Sequence, residues 1–377
     1  MIGFLILPDQ NFADSNTYYQ AGKRLFEEGV YGSDYYMPIY SIISYLVGGD
    51  ATLRLFDIAV SVATVWLIFR LTQIIWGSVA APVIAGIVAA AYPHFVFFAL
   101  SELTETVFMA LICGAFVLYY ERRWIPGHII LVLSILTKPS VELLAPLLIM
   151  AFAVVVHQMT FRRAFTQVFL LVLVYAVLMS PWWYHNYQRY DEFVRLVPSD
   201  GYPLYAGNNP LNQSGGGLGM SNGVGDADFT GFSQINGSIE KNQALRDAAF
   251  DYITDNPMHF VKMAGVKFVR FWRLWPFAPE YKNPLTIAVS LASFGVCLTF
   301  SIVALFQHIR TRWRHLTPML LFAAYLTAVH MVTIGSIRYR IPIEPFILVI
   351  AASPMAALLC RLGCLPAVPS IEPARRD

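Results

Sequence analysis

The sequence predicts an all-α membrane protein, a polytopic bundle of transmembrane helices with interfacial helices and one long external loop. Hydrophobic residues make up 57% of its 377 residues and charged residues only 13%, a balance outside the range of ordinary soluble domains. Long apolar runs recur without the alternation of barrel strands, so helices must satisfy the backbone in the bilayer core. The formal net charge of +2 gives no indication of a nucleic-acid partner.

Apolar runs of about 20 residues, long enough to cross about 30 Å of hydrocarbon, predict the individual spans. Single runs cover residues 55–76, 79–99, 103–120, 168–184, 285–306, 316–337 and 343–359. Residues 126–156 are long enough for two tight spans, which are separated at "LTKPS". The sequence therefore predicts about nine complete crossings.

Short arginine-rich segments predict which loops face the cytoplasm. These segments are "ERRW" (121–124), "FRRAF" (161–165), "HIRTRWRH" (308–315) and "PARRD" at the C-terminus. Counting crossings from them puts the remaining connections together on the external face: Asp14, the "SELTE" turn (101–105), "TKPS" (137–140), the loop 185–283 and "RYRIP" (338–342).

These spans and loops predict the domain organisation. Residues 1–184 form an N-terminal catalytic transmembrane module, 185–283 the external loop, 284–360 the C-terminal transmembrane helices and 361–377 a cytoplasmic tail. The opening "MIGFLIL" is only about a third of a span, so the first span is incomplete and we expect a shortened N-terminus.

The external loop contains one segment that is apolar enough to suggest a further span. "HFVKMAGVKFVRFWRLWPF" (259–277) would carry Lys262, Lys267, Arg270 and Arg273 into hydrocarbon, at about 2.5–3.5 kcal/mol each at mid-depth. An amphipathic helix lying in the outer interface fits better, and the same is expected for part of "YMPIYSIISYLVGG" (36–49). Residues 207–225, rich in Gly and Asn, predict irregular backbone over the membrane surface.

Ionisable residues collect near the membrane ends on the predicted external face. They are Asp14, Glu102, Glu105, Lys138, His185, Lys267, Arg270, Arg338 and Arg340. Carboxylates and cations that converge at one membrane surface suit a site in which an acid activates a hydroxyl and cations hold a phosphate.

Asp14 is the leading candidate for the proton acceptor. It stands at the start of a predicted surface helix that carries Tyr18, Ala21, Gly22 and Leu25 on one face. An acidic residue at a helix start is often only a cap, and this alternative stays open for Asp14.

Glu102 and Glu105 share a helical face at the outer entrance to a span, where an unpaired carboxylate is costly. They are candidates for a second acid, or for ligands of a hard divalent cation shared with Asp14. A solvated helix cap is the alternative.

Lys138, Arg338 and Arg340 predict a cationic pocket at headgroup depth. Lys138 lies in a tight break before Pro139, and the two arginines depart from the positive-inside bias immediately before the last span. Cations kept in a disfavoured loop indicate an anionic partner, for which arginine offers a bidentate fork and lysine a point charge. Snorkelling and headgroup anchoring are the alternatives.

Taken in chain order, the motifs resemble the GT-C superfamily of membrane glycosyltransferases. The motifs are "ADSNTYYQAGKRL", "AYPHFVFFALSELTETVF", "LTKPSVELLAPLL", "SPWWYHNY", "YPLYAGNNP", "NPMHFVKMAGVKFVRFWRLWPFAPE" and "RYRIPIEPFILVIAA". Within the superfamily the chain is similar to bacterial protein O-mannosyltransferases, aminoarabinose transferases and rhizobial lipopolysaccharide galacturonosyltransferases. The resemblance extends over nearly the whole chain.

The resemblance implies a hexosyl- or pentosyltransferase that takes a sugar from a polyprenyl-phosphate donor within the membrane lipid. The acceptor would be a lipid, a glycan or a protein, and transfer would occur with inversion on the external face of the bacterial cytoplasmic (inner) membrane, in lipopolysaccharide or cell-envelope glycosylation. A multi-helix transporter and an inactive lipid-binding relative are the alternatives. Transporters usually place polar groups at mid-membrane, whereas here they collect at one interface.

The resemblance also implies roles for individual residues. Asp14 and Glu102 would be catalytic, and Lys138, Arg338 and Arg340 would bind the donor phosphate. Supporting positions are Glu105, His185, Lys267 and Arg270. A divalent metal ion is the one cofactor left open, with Asp14 and Glu102 as its ligands. Many relatives carry two adjacent acids in the first loop, whereas Ser15 follows Asp14 here.

Overall fold

The computed structural model describes residues 13–216, 227–276 and 283–363, and within these ranges the regular structure is entirely helical. The predicted all-α class is therefore confirmed. The incomplete first span, the second half of the Gly-rich stretch and the tail from residue 364 lie outside the described residues.

The first half of the bundle consists of short surface helices followed by apolar helices. In chain order these are α1 (Ala13–Glu28), α2 (Pro38–Leu46), α3 (Asp50–Trp76), α4 (Ala80–Ala90), α5 (Pro93–Ala99), α6 (Thr104–Tyr120), α7 (Trp124–Thr137), α8 (Ala145–Met150) and α9 (Phe161–Tyr190). Helix α8 continues as a π-helical turn, Ala151–Val156, and α9 runs past residue 184.

The second half begins with the polar segment and returns to apolar helices. Its elements are α10 (Gly201–Gly207), α11 (Ser238–Asp255), α12 (Pro257–Trp272), α13 (Pro284–Ser290), α14 (Val296–Val332), α15 (Ile337–Arg340) and α16 (Glu344–Arg361). The π-helical turn Leu291–Gly295 joins α13 to α14. Among the described residues, the predicted external loop 185–283 therefore contains α10, α11 and α12 besides the end of α9.

The number of helices that are long enough to span a membrane is smaller than the predicted number of crossings. By length and composition, α3, α9, the joined segment Pro284–Val332 and the segment Ile337–Arg361 qualify, and α4 with α5 qualifies only as a pair bent by 51°, which is a broken span or a re-entrant loop. Helices α6, α7 and the segment Ala145–Val156 are apolar but shorter. The 14 residues of α7 rise only about 21 Å, so the estimate of about nine full crossings was too high by this criterion.

The segment "HIRTRWRH" was predicted as a loop, and this was wrong, because residues 308–315 are helical within α14. The chain nevertheless reverses its direction within the joined segment Pro284–Val332. The Phe294 ring lies 3.5 Å from the Arg340 guanidinium and the His330 ring stacks 4.4 Å from Tyr339, whereas a straight helix would separate Phe294 from His330 by about 54 Å. The joined segment Pro284–Val332 therefore crosses the bundle in two antiparallel passes, as the apolar runs 285–306 and 316–337 predicted.

Contacts at the two ends of the bundle bring some of the predicted loops together. At one end, Arg54 pairs with Glu102 and Arg338 pairs with Asp14. At the other end, Trp76 contacts His308 and the Tyr120 hydroxyl donates to the carbonyl of His315. We call the end with Asp14 the site end; the compartment that it faces stays a prediction.

The core lies where four apolar segments meet around Phe116 of α6. Its ring centroid is 5.2 Å from Phe152, 5.9 Å from Phe322 and 4.4 Å from Phe346. These partners belong to the π-helical turn after α8, to α14 and to α16. Aromatic rings of this size fill space between helices with favourable edge and tilted contacts, which holds the helix ends in a fixed arrangement.

At the site end, α1 packs closely on α2 through the predicted face. Tyr18, Ala21 and Gly22 are buried. A Cβ atom on Gly22 would stand 2.1 Å from the carbonyl oxygen of Ser41, so only glycine allows this approach. The packing fixes the start of α1, which carries Asp14.

Candidate active site

Asp14 lies in the first turn of α1 with both carboxylate oxygens engaged. The Tyr36 hydroxyl donates to Oδ1 over 2.7 Å, and Nη1 of Arg338 donates to Oδ2 over 2.7 Å. Ser15 donates to the carbonyl of Ser101 over 3.1 Å, which ties the start of α1 to the "SELTE" turn. The Asp14 side chain is 29% exposed, so a substrate hydroxyl can reach it.

Arg338 joins Asp14 to a second, fully buried carboxylate. Its Nε donates to Oε1 of Glu105 over 2.5 Å, and Lys138 Nζ donates to the same oxygen over 2.9 Å. Glu105 is 0% exposed, while the side chains of Arg338 and Lys138 are 30% and 18% exposed. Two carboxylates and two cations thus form a neutral network in which the cations and Asp14 keep access to solvent.

Local sequence explains how these side chains are presented. Ser336 accepts a hydrogen bond from the Arg338 backbone N–H and begins the short helix α15. Pro139 follows Lys138, and the clash that proline imposes on the preceding residue ends α7 there. Glu105 stands in the first turn of α6, so its charge also faces the positive end of that helix.

Tyrosine rings enclose the network. The Tyr36 ring lies 4.5 Å from Tyr18, and Lys138 Nζ lies 5.3 Å from the centroid of Tyr339. Burial, followed by the charge of Asp14, raises the pKa of Tyr36, so its hydroxyl stays protonated and donates to the carboxylate. The rings reduce water access around the ion pairs and strengthen their electrostatic interaction.

Glu102 lies at the same end but has a different partner. Arg54 Nε donates to its Oε1 over 2.5 Å, and its backbone φ of +51° is in the left-handed region that is uncommon for a non-glycine residue. The turn therefore holds Glu102 against α3, while Glu105, three residues later, joins the Asp14 network.

The described residues do not fit the divalent-cation site that the sequence left open. Within 13–216, 227–276 and 283–363, no group of three or more His, Cys, Asp or Glu residues could hold a metal ion. Asp14 and Glu102 each form an ion pair with an arginine instead. Hard divalent cations take about six or more oxygen ligands, which these two paired carboxylates do not supply.

Arg340 does not join the cations of the Asp14 network. It is 0% exposed, pairs with Glu344 over 2.9 Å, and donates from Nη1 to the carbonyls of Phe271 and Arg273. His94 contacts the other oxygen of Glu344 over 2.8 Å. The predicted pair of arginines is thus split, with Arg338 at the site and Arg340 inside the bundle.

The remaining supporting residues also lie at the site end, outside the network. His185 accepts from the backbone N–H of Tyr31 over 3.2 Å, and Arg270 donates to the carbonyl of Ser214 over 3.2 Å. Lys267 is buried, with Nζ 3.1 Å from Oδ1 of Asn208 and 3.2 Å from the carbonyl of Val332. These four contacts connect loops and helix ends.

Tyr36 and Arg54 were missed by the sequence analysis. Tyr36 reaches Asp14 across 22 positions of the chain and Arg54 reaches Glu102 across 48, so no local spacing links either pair. The only usable signal was the placement of both residues near predicted membrane ends, which many aromatic and basic residues share.

The fold resembles that of a solved glycosyltransferase. Over 93% of this chain, the structure matches the archaeal oligosaccharyltransferase AglB from Archaeoglobus fulgidus, solved in complex with an inhibitory peptide and a dolichol-phosphate. The TM-score is 0.53 and the sequence identity 12%. The chain has a GT-C fold. It spans 47% of the AglB chain, about half its length, and no family model or curated protein matches the sequence.

Proposed function

We propose that this protein is a membrane glycosyltransferase that moves a sugar from a polyprenyl-phosphate donor to an acceptor hydroxyl, with Asp14 as the general base. The observation that carries the proposal is the partly exposed Asp14 carboxylate held directly against the partly exposed Arg338 guanidinium. A base and a phosphate-binding cation side by side suit transfer from a sugar phosphate ester. The GT-C fold supports the same reaction class.

Asp14 takes the proton of the acceptor hydroxyl in this reaction. The hydroxyl oxygen attacks the anomeric carbon, the bond from that carbon to the phosphate oxygen breaks, and the phosphate leaves with the electron pair. Attack opposite to the leaving group inverts the anomeric centre. Each oxygen of Asp14 accepts one hydrogen bond from the protein and keeps a further lone pair for this proton.

Arg338 and Lys138 bind the donor phosphate and stabilise its growing charge. Arg338 uses Nε and Nη1 for its two strong carboxylate contacts, which leaves N–H donors for phosphate oxygens. Lys138 uses one of three N–H bonds on Glu105. The buried Glu105 positions both cations and does not touch the substrate. Removing one such donor from a site typically costs about 10²–10³-fold in rate.

We further infer that the site end faces the exterior of a bacterial cytoplasmic membrane, where the acceptor belongs to lipopolysaccharide or another cell-envelope component. The arginine-rich segments 121–124 and 308–315, at the opposite end of the bundle, support this orientation through the positive-inside bias. A donor held in the membrane needs no soluble nucleotide-binding domain.

Native mass spectrometry of the gently solubilised protein tests the proposal. We expect co-purified polyprenyl phosphate, or its glycosylated form, in the wild type and in Asp14→Asn, and its loss in Arg338→Ala. Transfer by Asp14→Asn should fall about 10²–10⁴-fold, the usual contribution of a general base. Asp251→Asn, an exposed change on α11, is the matched control.

Two outcomes would contradict the proposal. Full transfer by Asp14→Asn would remove Asp14 as the base. The absence of such a lipid from the wild type, even after polyprenyl phosphate is added, would remove the donor class and leave the transporter alternative to be tested.

A further inference from the structure

A polar cleft of about 260 Å³ lies beside the Asp14 network at the site end. Its wall includes Asp34, Tyr35, Tyr202, Ser238 and Lys241. The volume is below the roughly 300–1,000 Å³ of sites for drug-sized ligands, so it suits one small polar ring. None of these residues takes part in the proposed transfer step.

Two tyrosine rings form the aromatic part of the wall. Tyr35 and Tyr202 pack edge to face with centroids 5.1 Å apart, and Phe229 stacks on Tyr202 at 5.5 Å. Tyr35 is 50% exposed. Flat aromatic faces that are fixed by neighbouring rings pack well against the C–H face of a sugar ring.

Asp34 supplies a fixed acceptor for sugar hydroxyls. Its Oδ1 accepts from Arg189 and from Tyr190, and its Oδ2 accepts from the Ser238 hydroxyl over 2.5 Å. The three donors hold the carboxylate in one orientation before any ligand arrives. Further lone pairs on the oxygens can accept from a ligand hydroxyl.

Lys241 gives the cleft a cation that can bind an anionic group of a ligand. Arg189 offsets Asp34 by an ion pair, whereas Lys241 has no ion-pair partner among the residues that the structure describes and lies 6.0 Å from the Tyr202 ring. The adjacent acid, Glu240, lies against the backbone of Gly237 at the start of α11 and does not line the cleft. The Lys241 ammonium can therefore bind a carboxylate or phosphate of a ligand.

The cleft is linked to the base by two consecutive tyrosines. The rings of Tyr35 and Tyr36 are 6.5 Å apart, and Tyr36 donates to Asp14. A ligand in the cleft thus contacts Tyr35, whose neighbour in the chain, Tyr36, holds the Asp14 carboxylate.

We propose that this cleft binds an acidic sugar of the acceptor, with the sugar ring on Tyr202, its hydroxyls on Asp34 and its carboxylate or phosphate on Lys241. The inference rests on the proposed function and specifies the acceptor as an anionic carbohydrate.

Saturation-transfer NMR on the full, detergent-solubilised chain tests this with glucuronate, glucose 6-phosphate and glucose as probes. We expect both anionic sugars to bind at least about threefold more tightly than glucose. Lys241→Gln should weaken only the anionic probes, roughly three- to fivefold in Kd. Tyr202→Ala should abolish saturation of the ring protons, and Tyr202→Phe should retain it.

Matched controls separate a lost contact from a lost fold. Lys262→Gln and Tyr187→Ala change exposed residues away from the cleft and should bind all probes as the wild type does. Unchanged thermal unfolding of Tyr202→Phe and Lys241→Gln keeps the test valid if Tyr202→Ala fails to fold. Equal binding of glucose and the anionic sugars, or full binding by folded Tyr202→Ala, overturns the proposal.

Asp14→Asn makes the two proposals distinguishable. This variant should bind glucuronate as the wild type does, because Asp14 does not line the cleft. If the protein binds the anionic sugars but neither binds a donor lipid nor transfers a sugar, the proposed function is rejected and the sugar site stands. Donor binding and transfer without sugar binding at the cleft would reject this inference alone.

Discussion

Arg338 and Arg340 show how two residues with the same chemistry come to lie in different environments. They are two positions apart on a short helix, which places their side chains on nearly opposite faces. Arg338 faces Asp14 and Glu105, whereas Arg340 faces Glu344 and two backbone carbonyls. The helical turn decides which of the two arginines is available to a ligand.

Arg338→Lys should reduce transfer by at least about 10²-fold, although it preserves the charge. A single ammonium cannot contact Asp14 and Glu105 with the two-sided geometry of the guanidinium. Steady-state transfer assays measure the effect. Arg310→Lys, an exposed change in α14, is the control and should be neutral. Wild-type activity in Arg338→Lys would mean that charge alone matters at this position.

Lys267 predicts a pH dependence of stability. Burial lowers its pKa to about 8, whereas in the unfolded chain it is about 10.4. Between these pH values the unfolded chain binds more protons, so the Lys267 contribution to the free energy of unfolding rises with pH.

Lys267→Met removes this titration. The wild type should therefore gain stability relative to Lys267→Met between pH 8 and about pH 10.4, by up to roughly 3 kcal/mol. Thermal unfolding of both proteins across this range measures the difference. Lys262→Met, an exposed change in the same helix, should show no such trend. A constant difference between wild type and Lys267→Met would show that the buried amine does not titrate there.

At the scale of elements, the approach of α1 to α2 positions the proposed base. Gly22 lies against the carbonyl of Ser41, and Tyr18 packs on Tyr36 and Tyr40. Since Asp14 stands two turns before Gly22 on the same helix, a shift of α1 at Gly22 moves the carboxylate relative to Arg338. Small displacements of reacting groups are costly in rate.

Gly22→Ala should lower the free energy of unfolding by roughly 1–3 kcal/mol, because the added Cβ meets backbone that cannot move aside. It should also reduce transfer. Gly265→Ala in α12 is the matched control, since a Cβ there meets nothing within 4 Å and alanine favours the helix. Chemical unfolding and transfer assays on both variants check this. Equal stability of the two would mean that α1 can move away from α2 freely.

At the scale of the whole molecule, the bundle separates two chemically different ends. Asp14, Glu105, Lys138 and Arg338 meet at the site end, and the arginine-rich segments 121–124 and 308–315 lie at the other. The match to AglB covers 93% of this chain, so it applies to the bundle as a whole and not to one helix pair.

Cysteine labelling tests the predicted orientation. In a background without native cysteines, Asn16→Cys and Gln243→Cys at the site end should react with a membrane-impermeant thiol reagent in intact spheroplasts. Thr311→Cys, at the opposite end, should react only after permeabilisation. All three positions are exposed, so accessibility differs by compartment and not by burial. Labelling of Thr311→Cys in intact spheroplasts would reverse the orientation.

The sequence alone determined the helical class, the shared end of the polar loops and the candidate list that contains Asp14, Glu105, Lys138 and Arg338. Apolar run length and arginine placement are local properties, so they can be read along the chain. Only the tertiary structure decided which of these side chains contact one another. Asp14 and Arg338 are 324 positions apart, and Tyr36, Arg54 and the cleft at Asp34 acquire their roles only when helices distant in sequence pack together.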